Sequence, residues 1–138
     1  MATMPTLSDL VDLLHGWYPP ETASDGDAVG LVAGDPEAEV RRVMFAVDPV
    51  QPVADGAAEW DADLLVVHHP LFLTPVHGVA ATTPKGRTLQ TLTRAGCGLL
   101  TAHTNADRAR GGVSEALAQT LGLTGVRPIT ANADQPLA

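Results

Sequence analysis

The run Leu64-Leu65-Val66-Val67, closed by His68-His69-Pro70, is the feature that most restricts the fold. Four consecutive apolar residues, two of them β-branched, favour a strand buried on both faces over a helix. Pro70 has no amide hydrogen to give to a sheet ladder, so the strand stops there. Two imidazoles therefore stand at the carboxyl end of a buried strand. Open α/β sheets bind their ligands outside that end. Neutral imidazole is the commonest metal ligand and the usual acid–base group near neutral pH. The plain alternative is one histidine on a backbone carbonyl and the other on the surface.

The flanking sequence repeats the alternation of strand and helix. Thr6 caps a helix whose apolar residues Leu7, Leu10, Val11 and Leu14 fall at helical spacing, and Asp9 suits its first turn. Gly16 and Pro19-Pro20 end it. Residues 21–27 form a polar, acidic loop, and 28–34 a short apolar segment that is a strand or an extended stretch under another backbone. A buried strand is expected within 40–47, ending at Asp48-Pro49, and a helix over 50–60. After the Leu64–Val67 strand come an irregular loop with His77, a helix from Pro84 to about Gly96, and a strand over 98–102. A helix from Ser114 to Leu121 carries Val113, Leu117 and Leu121 on one face. This order means βαβ units: an α/β fold with parallel strands in a sheet flanked by helices. Residues 1–125 are read as one α/β domain and 126–138 as a linker or truncated tail; Met1 to Pro5 read as a loose leader.

The 138 residues fit one domain. A formal charge of −8 and no basic stripe argue against nucleic acid as partner. Cys97 is the single cysteine, so no intrachain disulfide forms, and a cytoplasmic setting is expected. No apolar run approaches the about 18 residues of a membrane span, and no signal peptide is expected.

Three strand ends now carry chemistry: Asp48 at one, His68 and His69 at the next, His103 and Asp107 at the third. Neighbouring strands lie about 4.8 Å apart, so groups at the same end can meet at one ion. Imidazoles mixed with carboxylates suit Zn, Fe, Mn or Ni rather than Ca or Mg. Consecutive side chains of a strand point apart, so His68 and His69 are suited to two different ions with a carboxylate between them. Such a two-metal site activates water and polarises a carbonyl or phosphoryl oxygen. For Asp107 the plain alternative is a loop carboxylate or a helix cap.

Other features carry less. Pro84-Lys85-Gly86-Arg87-Thr88 lacks the spaced glycines of a phosphate loop. Lys85 and Arg87 are read as a solvated helix face, contact with an anionic substrate being the alternative. Ser8, Ser24 and Ser114 sit in no nucleophile pattern. Cys97 is read as core, and His15 as a partner of its helix's last carbonyls.

Four segments together resemble the Nif-three-like family, whose members are often named GTP cyclohydrolase 1 type 2 homologues. They are Asp63 to Leu71, Thr83 to Arg87, Ala102-His103-Thr104-Asn105-Ala106-Asp107, and Gly111 to Leu117. The likeness runs from about Leu7 to about Pro128. It implies an α/β fold and a dinuclear metal site with His68, His69 and Asp107 as ligands. It also implies homo-oligomers, ring-shaped hexamers built from dimers. The family's other two ligands form a His-x-x-x-Glu pair near the end of a longer chain. This sequence contains no such pair, so its own ligand set is incomplete, and a fragment or half-length version is expected. At Gly26 relatives usually carry the tryptophan of a Trp-Asp segment.

The implied function is that of a dinuclear metal-binding protein, a metal-dependent hydrolase of a small, nucleotide-like substrate. His103 or His77 would assist proton transfer, and Asp48 would orient a ligand. The alternatives are a non-catalytic metal-binding or assembly module and an inactive fragment.

Overall fold

The computed structural model describes residues 4–128. Helix α1 (Leu7–Trp17) opens with a reciprocal cap. Asp9 N–H donates to Thr6 Oγ1 at 3.2 Å, and Thr6 N–H donates to Asp9 Oδ2 at 2.8 Å. Pro5 is pinned rather than loose, because its carbonyl accepts from Val40 N–H at 2.9 Å. A 3₁₀ turn, Pro20–Thr22, follows.

Four strands make one sheet in the order β1-β4-β3-β2. They are β1 (Gly30–Ala33), β2 (Val43–Ala46), β3 (Leu64–Val67) and β4 (Gly98–Thr101). Strands β2, β3 and β4 run parallel, joined through α2 (Gln51–Glu59) and α3 (Pro84–Arg94). These are the two βαβ units that the alternation predicts. Strand β1 resolves the ambiguity of residues 28–34: it is a strand, and it pairs antiparallel with β4, so the sheet is mixed.

The sheet separates two cores. Leu65 and Val67 of β3 face Ala54, Ala57 and Leu92 of α2 and α3, together with Leu99 and Cys97. Leu64 and Val66 face Leu7 and Leu14 of α1, with Leu100 and Ala106. Every residue of β3 and β4 is buried. Burying a Leu or Val side chain contributes roughly 1.5–3 kcal/mol, so these two strands anchor the fold and the site at their ends.

Strand β2 is shorter and more open than its sequence implies. It lies at the sheet edge, and Phe45 is 65% exposed. Only one side of an edge strand has a neighbour, so an apolar sequence there does not ensure burial. The Asp63 carboxylate fixes its start by accepting from the amides of Arg41 and Arg42 at 2.7 and 2.8 Å. Two short elements complete the described residues: α4 (Thr104–Arg108) and α5 (Val113–Thr120). Helix α4, only one turn and a half without a repeating apolar face, is an element that no periodicity in the sequence predicts. On α5, Val113, Leu117 and Leu121 are exposed, so the apolar face read from the sequence is turned largely to solvent rather than to the core. Residues 129–138, most of the expected tail, lie outside the described residues.

Candidate metal centre

Val67 is the last residue of β3, and the chain bends at His68 and His69. Strict alternation of side chains ends with the strand. The two rings therefore converge instead of pointing apart, with centroids 5.1 Å from each other. Strand β4 ends one position from Ala102, and His103 follows it beside the pair. Its ring centroid is 5.0 Å from that of His68 and 5.8 Å from that of His69. One ligating atom from each of the three histidines lies within 4.8 Å of the others. Nitrogens bound tetrahedrally to one ion lie about 3.4 Å apart, so the three rings would have to close inward to share one.

The orientation of each ring is set by what its Nδ1 touches. His68 Nδ1 is 3.0 Å from the Ala102 carbonyl, which only accepts, so Nδ1 carries the hydrogen. His69 Nδ1 is 2.6 Å from Asp48 Oδ1, and His103 Nδ1 is 2.9 Å from Asp27 Oδ1. With each Nδ1–H donating to an oxygen, each Nε2 keeps its lone pair for a cation. A metal-ligating histidine ordinarily gives its other nitrogen to a carboxylate or backbone carbonyl in this way. The donor set thus fits a divalent transition metal.

Asp27 is the residue the sequence reading missed. It sits in the polar 21–27 loop, yet its side chain is only 4% exposed. Burial pushes its carboxyl up, but the Thr104 hydroxyl, the His103 ring and the amides of Ala28 and Thr104 outweigh that and hold it at about 2. It is therefore an anion that receives the His103 proton side. The loop is tied further to the β4 end: Ser24 N–H donates to Thr104 Oγ1 at 2.8 Å, and Arg108 reaches the Thr22 carbonyl at 2.8 Å. Asn105, buried, bridges the His103 amide and the Tyr18 carbonyl. The signal for Asp27 was the Trp-Asp pattern of the resembled family, of which the Asp half is kept. Gly26 has φ +77, a left-handed conformation that favours glycine, which gives the departure at that position a backbone reason.

The remaining residues singled out in the sequence separate clearly. Asp107 Oδ1 stands 3.7 Å from His68 Nε2, at the rim of the histidine group. Asp48 touches His69 and borders a cleft beside it. His77 is exposed and lies outside the group. Lys85 and Arg87 are exposed and line the same cleft as Asp48 and His69. Cys97 is buried in the α2–α3 core. His15 Nε2 is buried without a hydrogen-bond partner among the described residues, so it does not serve the helix carbonyls through that atom. No helix among the described residues is long and apolar enough to cross a membrane.

Comparison with known proteins agrees with this architecture. The family model described as Duf34/NIF3 (NGG1p interacting factor 3) matches residues 5–135. A protein of Streptomyces coelicolor named GTP cyclohydrolase 1 type 2 homolog is 50% identical over 133 residues, which cover 96% of this chain and 47% of that protein. A Mycobacterium tuberculosis protein of the same name is 52% identical over 118 residues, covering 86% of this chain and 31% of its own. The chain thus spans less than half the length of these curated relatives. Among solved structures, a hypothetical protein from Staphylococcus aureus superposes with a TM-score of 0.88 at 31% identity, covering 96% of this chain and 38% of that one. Reduced HcgD from Methanocaldococcus jannaschii superposes with a TM-score of 0.84 at 27% identity, covering 94% and 52%. On the family match and these identities, the chain belongs to the Duf34/NIF3 family.

Proposed function

We propose that this chain supplies one face of a dinuclear metal centre in a hydrolase acting on a small, nucleotide-like substrate. His68, His69 and Asp107 would hold the ions, with His103 beside them as the proton carrier. The observation that carries the reading is the common tautomer: three adjacent imidazoles each give Nδ1–H to an oxygen and keep Nε2 bare. Bound divalent ions supply Lewis acidity, which polarises an electrophile and lowers the pKa of water. The protein's own contribution is positional. The Ala102 carbonyl and Asp48 hold His68 and His69 at the mouth of the sheet. Asp27 holds the His103 ring so that its Nε2 takes a proton while Nδ1–H stays on a fixed anion. Loop 21–27 and α4 close one side of the site through Ser24, Thr104 and Arg108.

A specific observation favours a second reading for the chain taken alone. Its sequence holds no His-x-x-x-Glu pair, so two ions would share three side chains here. The remaining ligands would come from solvent or from another polypeptide, including a second copy in a homo-oligomer. A metal-binding module without turnover is the corresponding alternative.

Elemental analysis of protein purified without chelator or histidine tag tests the proposal. About two transition-metal ions per chain and loss of both in a His68→Ala/His69→Ala variant are expected. A metal-free native protein that takes up no Zn, Fe, Mn or Ni would sink the metal reading and the hydrolase with it.

A further inference from the structure

The cleft beside His69 adjoins the histidine group through that residue and has a chemistry of its own. It encloses about 400 Å³, within the range of small-molecule sites. It is lined by Asp48 and His69, by Lys85 and Arg87 of the first turn of α3, and by Pro49, Leu71 and neighbouring residues. Asp48 is engaged with the His69 ring at 2.6 Å. Lys85 and Arg87 make no ion pair with any described residue, as holds for most of the chain's basic side chains, and what sets them apart is that both line one cleft. In a chain of net charge −8, two adjacent cations left unmatched on one wall form a local positive spot within an otherwise acidic field.

We propose that this cleft is the substrate's anion subsite, in which Lys85 and Arg87 take the phosphate of a small organic phosphate whose less polar body lies along Pro49 and Leu71 toward His69. The proposal rests on the histidine group being the reacting centre, because the cleft's value is that it opens onto His69. An arginine binds phosphate oxygens through parallel N–H donors and a lysine adds a mobile point charge, so the pair suits a phosphate better than a neutral group. Both side chains are exposed, so the contact is screened by salt, and affinity falls as ionic strength rises.

Phenyl phosphate is the probe, titrated into the chain as purified and again after chelation, with amide chemical shifts as readout. The expected perturbations fall in residues 48–51, 69–71 and 84–88. A Lys85→Gln/Arg87→Gln double variant is expected to bind at least about tenfold more weakly, through loss of charge-assisted hydrogen bonds, with metal content and melting temperature unchanged. Equal affinity of wild type and variant, shifts that map elsewhere, or phenylacetate binding as tightly as phenyl phosphate would each overturn the phosphate subsite. The two readings fail separately. Loss of metal binding with variant-sensitive phenyl phosphate binding removes the metal centre alone. Normal metal content with variant-insensitive binding removes the subsite alone.

Discussion

Asp27 Oδ1 stands 2.9 Å from His103 Nδ1, although the two lie 76 positions apart in the chain. The pair joins a surface loop to the carboxyl end of a central strand, and it decides which imidazole nitrogen of His103 is bare. Replacing Asp27 with Asn keeps the size but removes the anion. With His103 as proton carrier, turnover is expected to fall about 10–100-fold while metal affinity holds, the usual scale for losing a carboxylate behind a site histidine. Turnover assays beside isothermal titration with Zn²⁺ on wild type and Asp27→Asn measure this; unchanged turnover with an unchanged pH profile would reduce Asp27 to a loop anchor, and a fall in affinity would make His103 a ligand.

His103 and Asp107 divide the site between them. Under the proposed roles, Asp107→Ala lowers metal per chain while His103→Ala leaves it near the wild-type level and removes turnover. The histidine group also has the geometry in which His103 itself ligates. Elemental analysis of the two variants decides: metal lost with His103→Ala and kept with Asp107→Ala makes His103 the third ligand.

Cys97 ties stability to alkaline pH. Burial pushes its thiol up to about 11 from an ordinary value of 9.0; the Leu65 backbone hydrogen bond opposes this and the Asp63 charge adds to it. The folded-state value is the raised one, so between pH 9 and 11 the unfolded chain loses the proton that the folded chain keeps. The contribution is complete below about pH 9 and is lost as pH rises toward 11, amounting to about 2–3 kcal/mol. Urea melts of wild type and Cys97→Ala across that window should converge as pH rises. Parallel curves would show that the thiol does not titrate differently in the two states.

Two helix glycines should respond oppositely to alanine. At Gly86, in the first turn of α3, a Cβ would lie 2.0 Å from the Ala80 carbonyl oxygen, so Gly86→Ala is expected to destabilise by about 2 kcal/mol or more. At Gly56, within α2, nothing lies within 4 Å of the added carbon, so Gly56→Ala is expected to stabilise by about 0.5–1 kcal/mol. Chemical denaturation of both variants checks the signs. Equal effects would mean that the Ala80 loop yields freely.

The fold was legible where a single segment contains its own reason. The capped helix at Thr6, the run Leu64 to Val67 and the proline-started helix at Pro84 each state their structure locally, through capping chemistry, continuous apolarity and fixed φ. Their alternation then determines parallel pairing, because two parallel strands need a crossover between them. The same logic puts His68, His69 and His103 at one end of the sheet. Where pattern is weak, the sequence says less: residues 28–34 fit a strand or an extended stretch, α4 leaves no periodic trace, and the apolar residues of β2 imply a burial that its edge position denies.

What the sequence determined by itself was thus the set of elements and the end of the sheet at which chemistry gathers. Tertiary structure alone decided the edge position of β2, the antiparallel pairing of β1, the convergence of the His68 and His69 rings, and the partnership of Asp27 with His103. The reason is physical. Capping, periodicity and strand-end position act within a few residues and leave a local trace. Which strand lies at an edge, and which loop carboxylate meets which imidazole, depends on contacts between segments tens of residues apart, and no local pattern records them.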